Sequence, residues 1–572
     1  MKRLLLALAA LGLLAGCTTI PSGSSPEVVS AIPKSEDSQV LQANTGPGPN
    51  DGISAIMQGF LRAAPVADGG HSQARQFLTS AASRKWQDDT TIVLNDMFVH
   101  DPVIAGDTAS VTISGRRVAS VDATGVLTPT LKGSGTGDAE SFSYTLDRRG
   151  GQWRVDSLPT GTLISSTTFA AYFHLFKIYF FNSTNAVLVP DLRYTPLQGQ
   201  ALASWMLTQL TSRPRTELTE VVGTNVPDQA GKPMVTYGDP IGVDMPGAAQ
   251  LSDDERNSLA AQLAYTFGQV PSTSSGDVRL TDAGRPVRVP AVAGDTFSAA
   301  QFRAEDPDSE PTLSSFYVRD GNVYSTTGNG YATSSKLDSV AVRQVSTASQ
   351  SKPVLAGVTE SGRLVTGDPA NLKQISLPDA PTSRPEWGPQ GDDIWVGVGS
   401  VLYRVTNGQP ARAITVTTPA GGPPTGAITA IRFSPDGVRV AMVIRPPKSA
   451  GTLWVGSVVT SGSSVRIDAA EPITPPLISV SDLAWADDAQ LYALTTLAGS
   501  NAASVSELWS DGSGLTSKES LPGSVSATAV TAAPSQDVIV SANGLLYELV
   551  GSAWVNLGDN GPMSGTNPIY SS

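Results

Sequence analysis

The sequence predicts a multidomain chain in which two smaller domains mixing helix and strand precede an all-β propeller of about five or six blades. Three observations predict it. Apolar residues keep helical spacing and then alternate within 51–165, and helical and strand-like segments interleave within 170–295. From about 312 onward, long helical periodicity disappears. There, Trp387, Phe433, Trp485 and Ala533 mark similar segments that lie 46, 52 and 48 residues apart. Periods near 45 with about four short strands each are the mark of propeller blades.

The chain begins with Lys2 and Arg3, an apolar run from Leu4 to Leu14, and then Ala15-Gly16-Cys17. A basic start, a short apolar stretch and small residues are the layout of a secretory signal. The run is shorter than the about 20 residues a membrane span needs. Cys17 is the only cysteine among 572 residues, and it sits where a bacterial lipobox places its acylated cysteine. The expectation is that residues 1–16 are removed and that Cys17 carries acyl chains of the palmitate kind. Two or three chains on one residue hold a protein firmly at a membrane. The chain is then expected at the extracytoplasmic face of the cell membrane. Residues 17–50 read as a tether, rich in Thr, Ser, Pro, Gly and Asn, with too little apolar surface to order itself.

The formal charge of −13 argues against a nucleic-acid partner, which wants a basic face. Abundant Gly and Pro with scarce Lys match the usage of high-GC actinobacteria.

In the domain expected at 51–165, Ile53, Ile56, Met57, Phe60 and Leu61 take helical spacing. A second helical stretch holds Phe77, Leu78, Ala81, Ala82 and Trp86. Strands are expected at 90–96, 108–114, 116–120, 140–147 and 152–157, the last two joined by the turn Asp147-Arg148-Arg149-Gly150-Gly151. Two helices and a curved antiparallel sheet resemble the NTF2-like cone fold. A small α/β domain is expected at 170–295. It has strands at Ile178–Phe181 and Ala186–Val189, a helix opened by Pro196, and a second helix with Asp253-Asp254-Glu255 in its first turn, where carboxylates suit the helix dipole. The propeller is expected at 312–570. Phe433-Ser434-Pro435-Asp436-Gly437 exemplifies its turns.

No catalytic residue, metal site or cofactor is expected. His71, His100 and His174 have no metal-ligand spacing, and the propeller region contains no histidine. Thr333-Ser334-Ser335-Lys336 echoes an acyl-enzyme motif without its partners. Asp392-Asp393, Asp482 and Asp487-Asp488 fall at turns, where Asp caps the chain, although paired acids also serve glycosidases. Asp191 and Arg193 share one face of a strand. They are able to pair, to position a loop or, with Tyr194, to meet a partner, and all three are candidate interface residues. The recurring Trp387, Trp395, Trp454, Trp485 and Trp509 read as packing between blades or as interface anchors.

The segments Tyr179-Phe180-Phe181-Asn182 and Leu188-Val189-Pro190-Asp191-Leu192-Arg193-Tyr194, with Ala260–Phe267, resemble a GerMN domain. With the lipobox and the domain order, the whole layout resembles the actinobacterial LpqB lipoprotein family. That resemblance implies a non-enzymatic accessory of a two-component system of the MtrA–MtrB type. Such a protein binds the extracytoplasmic part of the sensor histidine kinase and affects signalling, envelope homeostasis and division. The alternative partner is a cell-wall sugar or peptidoglycan fragment, held on the propeller face or in the cone.

Overall fold

The computed structural model describes residues 46–571, apart from 67–69, 132–138, 229–230, 272–275, 309–312, 329, 347–350, 390, 407–408, 498, 501 and 559–560. The signal segment, Cys17 and nearly all of the tether lie outside the described residues.

The first helix, α1 (Ile53–Ala63), buries Ile53, Ile56, Met57, Phe60 and Ala63, the i, i+3, i+4, i+7 stripe of a helix that faces a core. The second helical stretch is two short helices, α2 (Ser72–Arg75) and α3 (Ser80–Lys85). They part because residues 77–79 join the sheet edge: Thr79 N–H donates to Val155 O, and Val155 N–H to Phe77 O. The Thr79 hydroxyl then caps α3 by accepting from Ala82 N–H at 3.2 Å.

Seven strands follow: β1 (Thr91–Val99), β2 (Val103–Ala105), β3 (Thr108–Val121), β4 (Leu127–Pro129), β5 (Glu140–Arg149), β6 (Gln152–Ser157) and β7 (Thr162–Ser165). Their order is β6-β5-β3-β1-β7, with β2 and β4 also paired to β3. The strands expected at 108–114 and 116–120 are one continuous strand. It passes over β1 at Gly115, where a Cβ would come within 3.1 Å of Asn95 O and Leu94 Cβ, so the close approach suits glycine. Val111, Ile113, Tyr144 and Leu146 turn inward against α1. The curled sheet with helices on its inner side agrees with the expected cone.

The short helix α4 (Ser166–Tyr172), capped by Ser165, leads into the middle unit. There β8 (His174–Asn182) and β9 (Leu188–Thr195) form a long antiparallel pair, followed by α5 (Gly199–Thr211) and β10 (Val222–Gly223). A second sheet takes β11 (Met234–Thr236), β12 (Ile241–Asp244), β13 (Val278–Asp282) and β14 (Arg285–Pro286), with α6 (Asp253–Phe267) between β12 and β13. A capping box starts α6: Ser252 Oγ accepts from Glu255 N–H, and Glu255 Oε2 accepts from Ser252 N–H at 2.8 Å. Phe180, Phe181, Leu207, Leu263 and Phe267 belong to one core that joins both sheets.

Residues 315–570 form six four-stranded antiparallel sheets, arranged as a propeller. Trp387, Phe433 and Trp485 each end the first strand of the third, fourth and fifth sheets. Apolar clusters fill the spaces between successive sheets: Trp395 with Ile431 and Met442, and Trp485 with Leu453 and Leu491. The first sheet takes three strands from 315–331, and its fourth, Thr566–Tyr570, comes from the end of the chain. That strand pairs with Ser315–Arg319 and lies beside the first strands of the second and sixth sheets, closing the ring.

Candidate functional site

In each propeller sheet, the turns after the first and third strands fall at one end. In the fourth and fifth sheets these turns carry the middle unit. The Ser434-Pro435-Asp436-Gly437 turn shows how. Asp436 Oδ1 accepts from Val438 N–H at 3.0 Å, and Asp436 Oδ2 holds Arg439 Nη1 at 2.7 Å. The other arm of Arg439 donates to Pro190 O of β9. A turn residue thereby fixes a guanidinium that reaches another unit. Ser457 Oγ donates to Glu217 O, and Arg466 pairs with Glu220 across the same seam.

Asp191, Arg193 and Tyr194, the candidate interface residues, are buried within this chain. Arg193 Nε and Nη2 bond Asp191 Oδ1 and Oδ2 at 3.1 and 2.7 Å. Arg193 Nη1 reaches Thr124 of the N-terminal unit, 2.8 Å to Oγ1 and 3.0 Å to the carbonyl. Asp191 also accepts from Arg215 N–H at 2.9 Å. Tyr194 faces both ways: its N–H donates to Gly125 O, and its hydroxyl pairs with Ser513 of the fifth sheet. The three residues tie the three units to one another.

Two charged clusters line the same junction. Lys177 of β8 pairs with Asp488 and lies 3.9 Å from Asp487, while Tyr179 donates to Asp488 Oδ2 at 3.3 Å. Burial, reinforced by Asp488 and Asp487, pushes the Asp308 carboxyl far above its usual range, with Lys177 pulling the other way. Burial also raises Asp488, again opposed by Lys177. Oxygens of Asp308, Asp487 and Asp488 lie within 4.8 Å of one another. Lys177 supplies the cation among them.

The second cluster surrounds a cavity of about 80 Å³ lined by Leu127, Arg215, Glu217, Arg439, Glu471 and Asp511 among others. Burial lowers the Arg215 pKa, but its neighbours Glu217, Asp191 and Asp511 outweigh it and hold the guanidinium charged. Burial raises Asp511, and Arg215 opposes it. Neither cluster was legible in sequence, because the partners come from distant segments.

Of the other candidate acids, Asp392 is exposed at its turn, and Asp393 and Asp482 are engaged with cations or an indole. Asp393 holds Arg404 and the Trp395 indole N–H, and Asp482 holds Arg384. Ser334 Oγ accepts from Leu372 N–H, and Lys336 donates to Asp320 O, so the two are used separately. His71 lies tilted against Trp86, with ring centroids 5.6 Å apart, His100 pairs with Ser114, and His174 starts β8. All nine tryptophans are buried or half-buried, as packing between sheets requires.

One surface stands apart. Phe98, Val99, Val103 and Ile104 are 60, 38, 69 and 58% exposed within seven residues of chain. They sit at the end of β1 and on β2, both paired to β3. The pairing of β1 with β3 slips between Asn95 and Phe98, and Asp96 takes φ 51°. Such a bulge re-aims the side chains beyond it. Phe98 turns outward and stands edge-on to His100 at 4.9 Å. Grouped exposed apolar residues mark an interaction surface more than scattered ones do.

Residues 46–170 match the family described as lipoprotein LpqB, N-terminal domain, and residues 315–571 match the lipoprotein LpqB beta-propeller domain. The chain is 26% identical to lipoprotein LpqB of Thermobifida fusca (strain YX) over 98% of this chain and 97% of that one. It is 26% identical to lipoprotein LpqB of Corynebacterium jeikeium (strain K411), covering 88 and 86%. A putative TolB from Agrobacterium tumefaciens aligns at 14% identity with a TM-score of 0.30, over 45% of this chain and 93% of that one. Matched at both ends and along nearly its full length, the chain belongs to the LpqB family of membrane-anchored, extracytoplasmic, non-catalytic lipoproteins.

Proposed function

We propose that this protein binds the extracytoplasmic part of a sensor histidine kinase of the MtrA–MtrB type, and through it modulates signalling, envelope homeostasis and division. The observation that carries the reading is the apolar tip formed by Phe98, Val99, Val103 and Ile104. It lies on the unit that follows the tether, so a partner in the same membrane meets it at high effective concentration. Acylation at Cys17 supplies the anchor. Within this reading, residues 51–165 are the docking domain, 170–295 a GerMN domain, and 312–570 a propeller whose six sheets are six blades. A kinase responds to such a partner only if its two signalling states bind the tip unequally. The glycan alternative calls for a solvent-facing indole beside carboxylates, and the half-buried tryptophans favour it less.

The test uses the soluble chain from residue 18 onward and the purified extracytoplasmic domain of the kinase, with binding followed by calorimetry. Binding is expected for the wild type. The double variant Phe98→Ser with Ile104→Ser is expected to lose about tenfold or more in affinity, as exposed apolar anchors do. Equal binding by the variant, or no binding by the folded wild type, would overturn the reading. Binding of the wild type to liposomes but not to the kinase would also overturn it, in favour of a lipid-facing tip.

A further inference from the structure

The face that carries the middle unit on the fourth and fifth sheets continues across the second and third. A groove of about 860 Å³ lies there between those two sheets, within the size range of ligand sites. One wall is the outer strand of the second sheet, Asn371–Gln374, and the chain beyond it to Pro378. The other comes from the third sheet, at Thr406 and Gln409–Ala411. Val354, Ile375, Leu377, Ile394, Val405 and Ala411 give it apolar sides.

Two polar groups in this groove lack partners. Trp387 is 7% exposed, and its indole N–H is buried without a hydrogen bond. The Arg343 guanidinium lies 4.6 Å over the same indole ring, and its Nε is also buried and unpartnered. Among the described residues Arg343 forms no ion pair. Buried donors are ordinarily satisfied, so an unsatisfied one needs an explanation. Here both unsatisfied groups are donors and one is a cation. The group that satisfies both is a carboxylate, which accepts charge-assisted hydrogen bonds. Asp368 and Asp392 also line the groove, but both are exposed to solvent, where their repulsion is screened.

The shape narrows the ligand class. Asn371–Gln374 is the outer strand of its sheet and pairs on one side only. An extended peptide lies naturally along such an edge, and alternate side chains reach the pockets beside it. We propose that this groove binds an extended peptide segment that sets an aspartate or glutamate side chain against Arg343 and Trp387, with apolar residues on either side. The site is separate from the tip at Phe98 and does not depend on the kinase reading.

The test selects binders to the soluble chain from a library of random heptapeptides displayed between Gly-Ser linkers, so that no free carboxyl terminus is near. The expected result is a shared acidic position with apolar neighbours. Affinity should drop about tenfold or more when that acid becomes its amide, and likewise in Arg343→Gln and Trp387→Phe. The phenylalanine keeps a ring under Arg343 and removes only the N–H and the larger ring. Ser376→Arg, on the exposed rim, should block binding without touching the buried pair, which keeps the test decisive if either buried variant unfolds. No enriched sequence, enriched sequences without a shared acid, or binders indifferent to Ser376→Arg and to the folded buried variants would overturn the proposal.

Discussion

Arg193 grips Asp191 through two parallel hydrogen bonds, 3.1 and 2.7 Å, although only one residue separates them. Neither side chain is more than 3% exposed. Arg193→Ala leaves the buried Asp191 carboxylate without its paired guanidinium and removes the two hydrogen bonds to Thr124. Removing one member of a buried pair costs about 3–5 kcal/mol. The expected result is a loss of that size in urea unfolding, with the double variant Arg193→Ala, Asp191→Ala less destabilised than the sum of the two single variants.

The Asp308 carboxyl is pushed up to about 9 by burial and by Asp488 and Asp487, against the pull of Lys177. An acid whose folded pKa is raised binds its proton more tightly when folded. Its contribution to stability is therefore full below its ordinary value of about 4 and is lost as pH rises through the folded value. Asp308→Asn should leave the melting temperature near pH 4 almost unchanged and raise it at pH 9. Melting curves at pH 4, 7 and 9 check this, and a variant less stable than wild type at pH 9 would refute it.

Gly388 follows the first strand of the third sheet, and a Cβ there would fall 1.9 Å from Asp393 Oδ1. Asp393 cannot yield easily, because it holds both Arg404 and the Trp395 indole. Gly388→Ala should destabilise by about 1–3 kcal/mol, the range for overpacking. Chemical denaturation reads the loss, and tryptophan fluorescence should report the displaced indole.

Cys17→Ala removes the proposed acylation site. The protein should move from the membrane fraction to the soluble fraction, measured by fractionation and by mass spectrometry of the mature amino terminus. Full retention on membranes would refute Cys17 as the anchor.

What the sequence revealed was local. The carboxylates Asp253-Asp254-Glu255 announced α6 because a cap acts within one turn. Trp387, Phe433 and Trp485 announced the sheets because each sheet repeats the same packing problem. What stayed hidden was non-local. Lys177 and Asp488 are 311 residues apart, and no spacing rule joins them. Asp191 and Arg193 share a strand face, which left pairing, loop positioning and partner contact all open, and their link to Thr124 needed the fold. The outward turn of Phe98 depends on a slip in strand pairing that alternation alone does not encode. The completion of the first sheet by Thr566–Tyr570 was likewise outside any local pattern.

That last strand has a consequence for biosynthesis. Its partner, Ser315–Arg319, lies some 250 residues earlier in the chain and keeps one edge open until residues 566–570 are in place. Contacts this distant in sequence form late, and an open strand edge invites wrong pairing in the interval. The ring is thus closed by a single pairing between its two sequence extremes: without Thr566–Tyr570, Ser315–Arg319 keeps an unpaired edge and the first sheet stays incomplete.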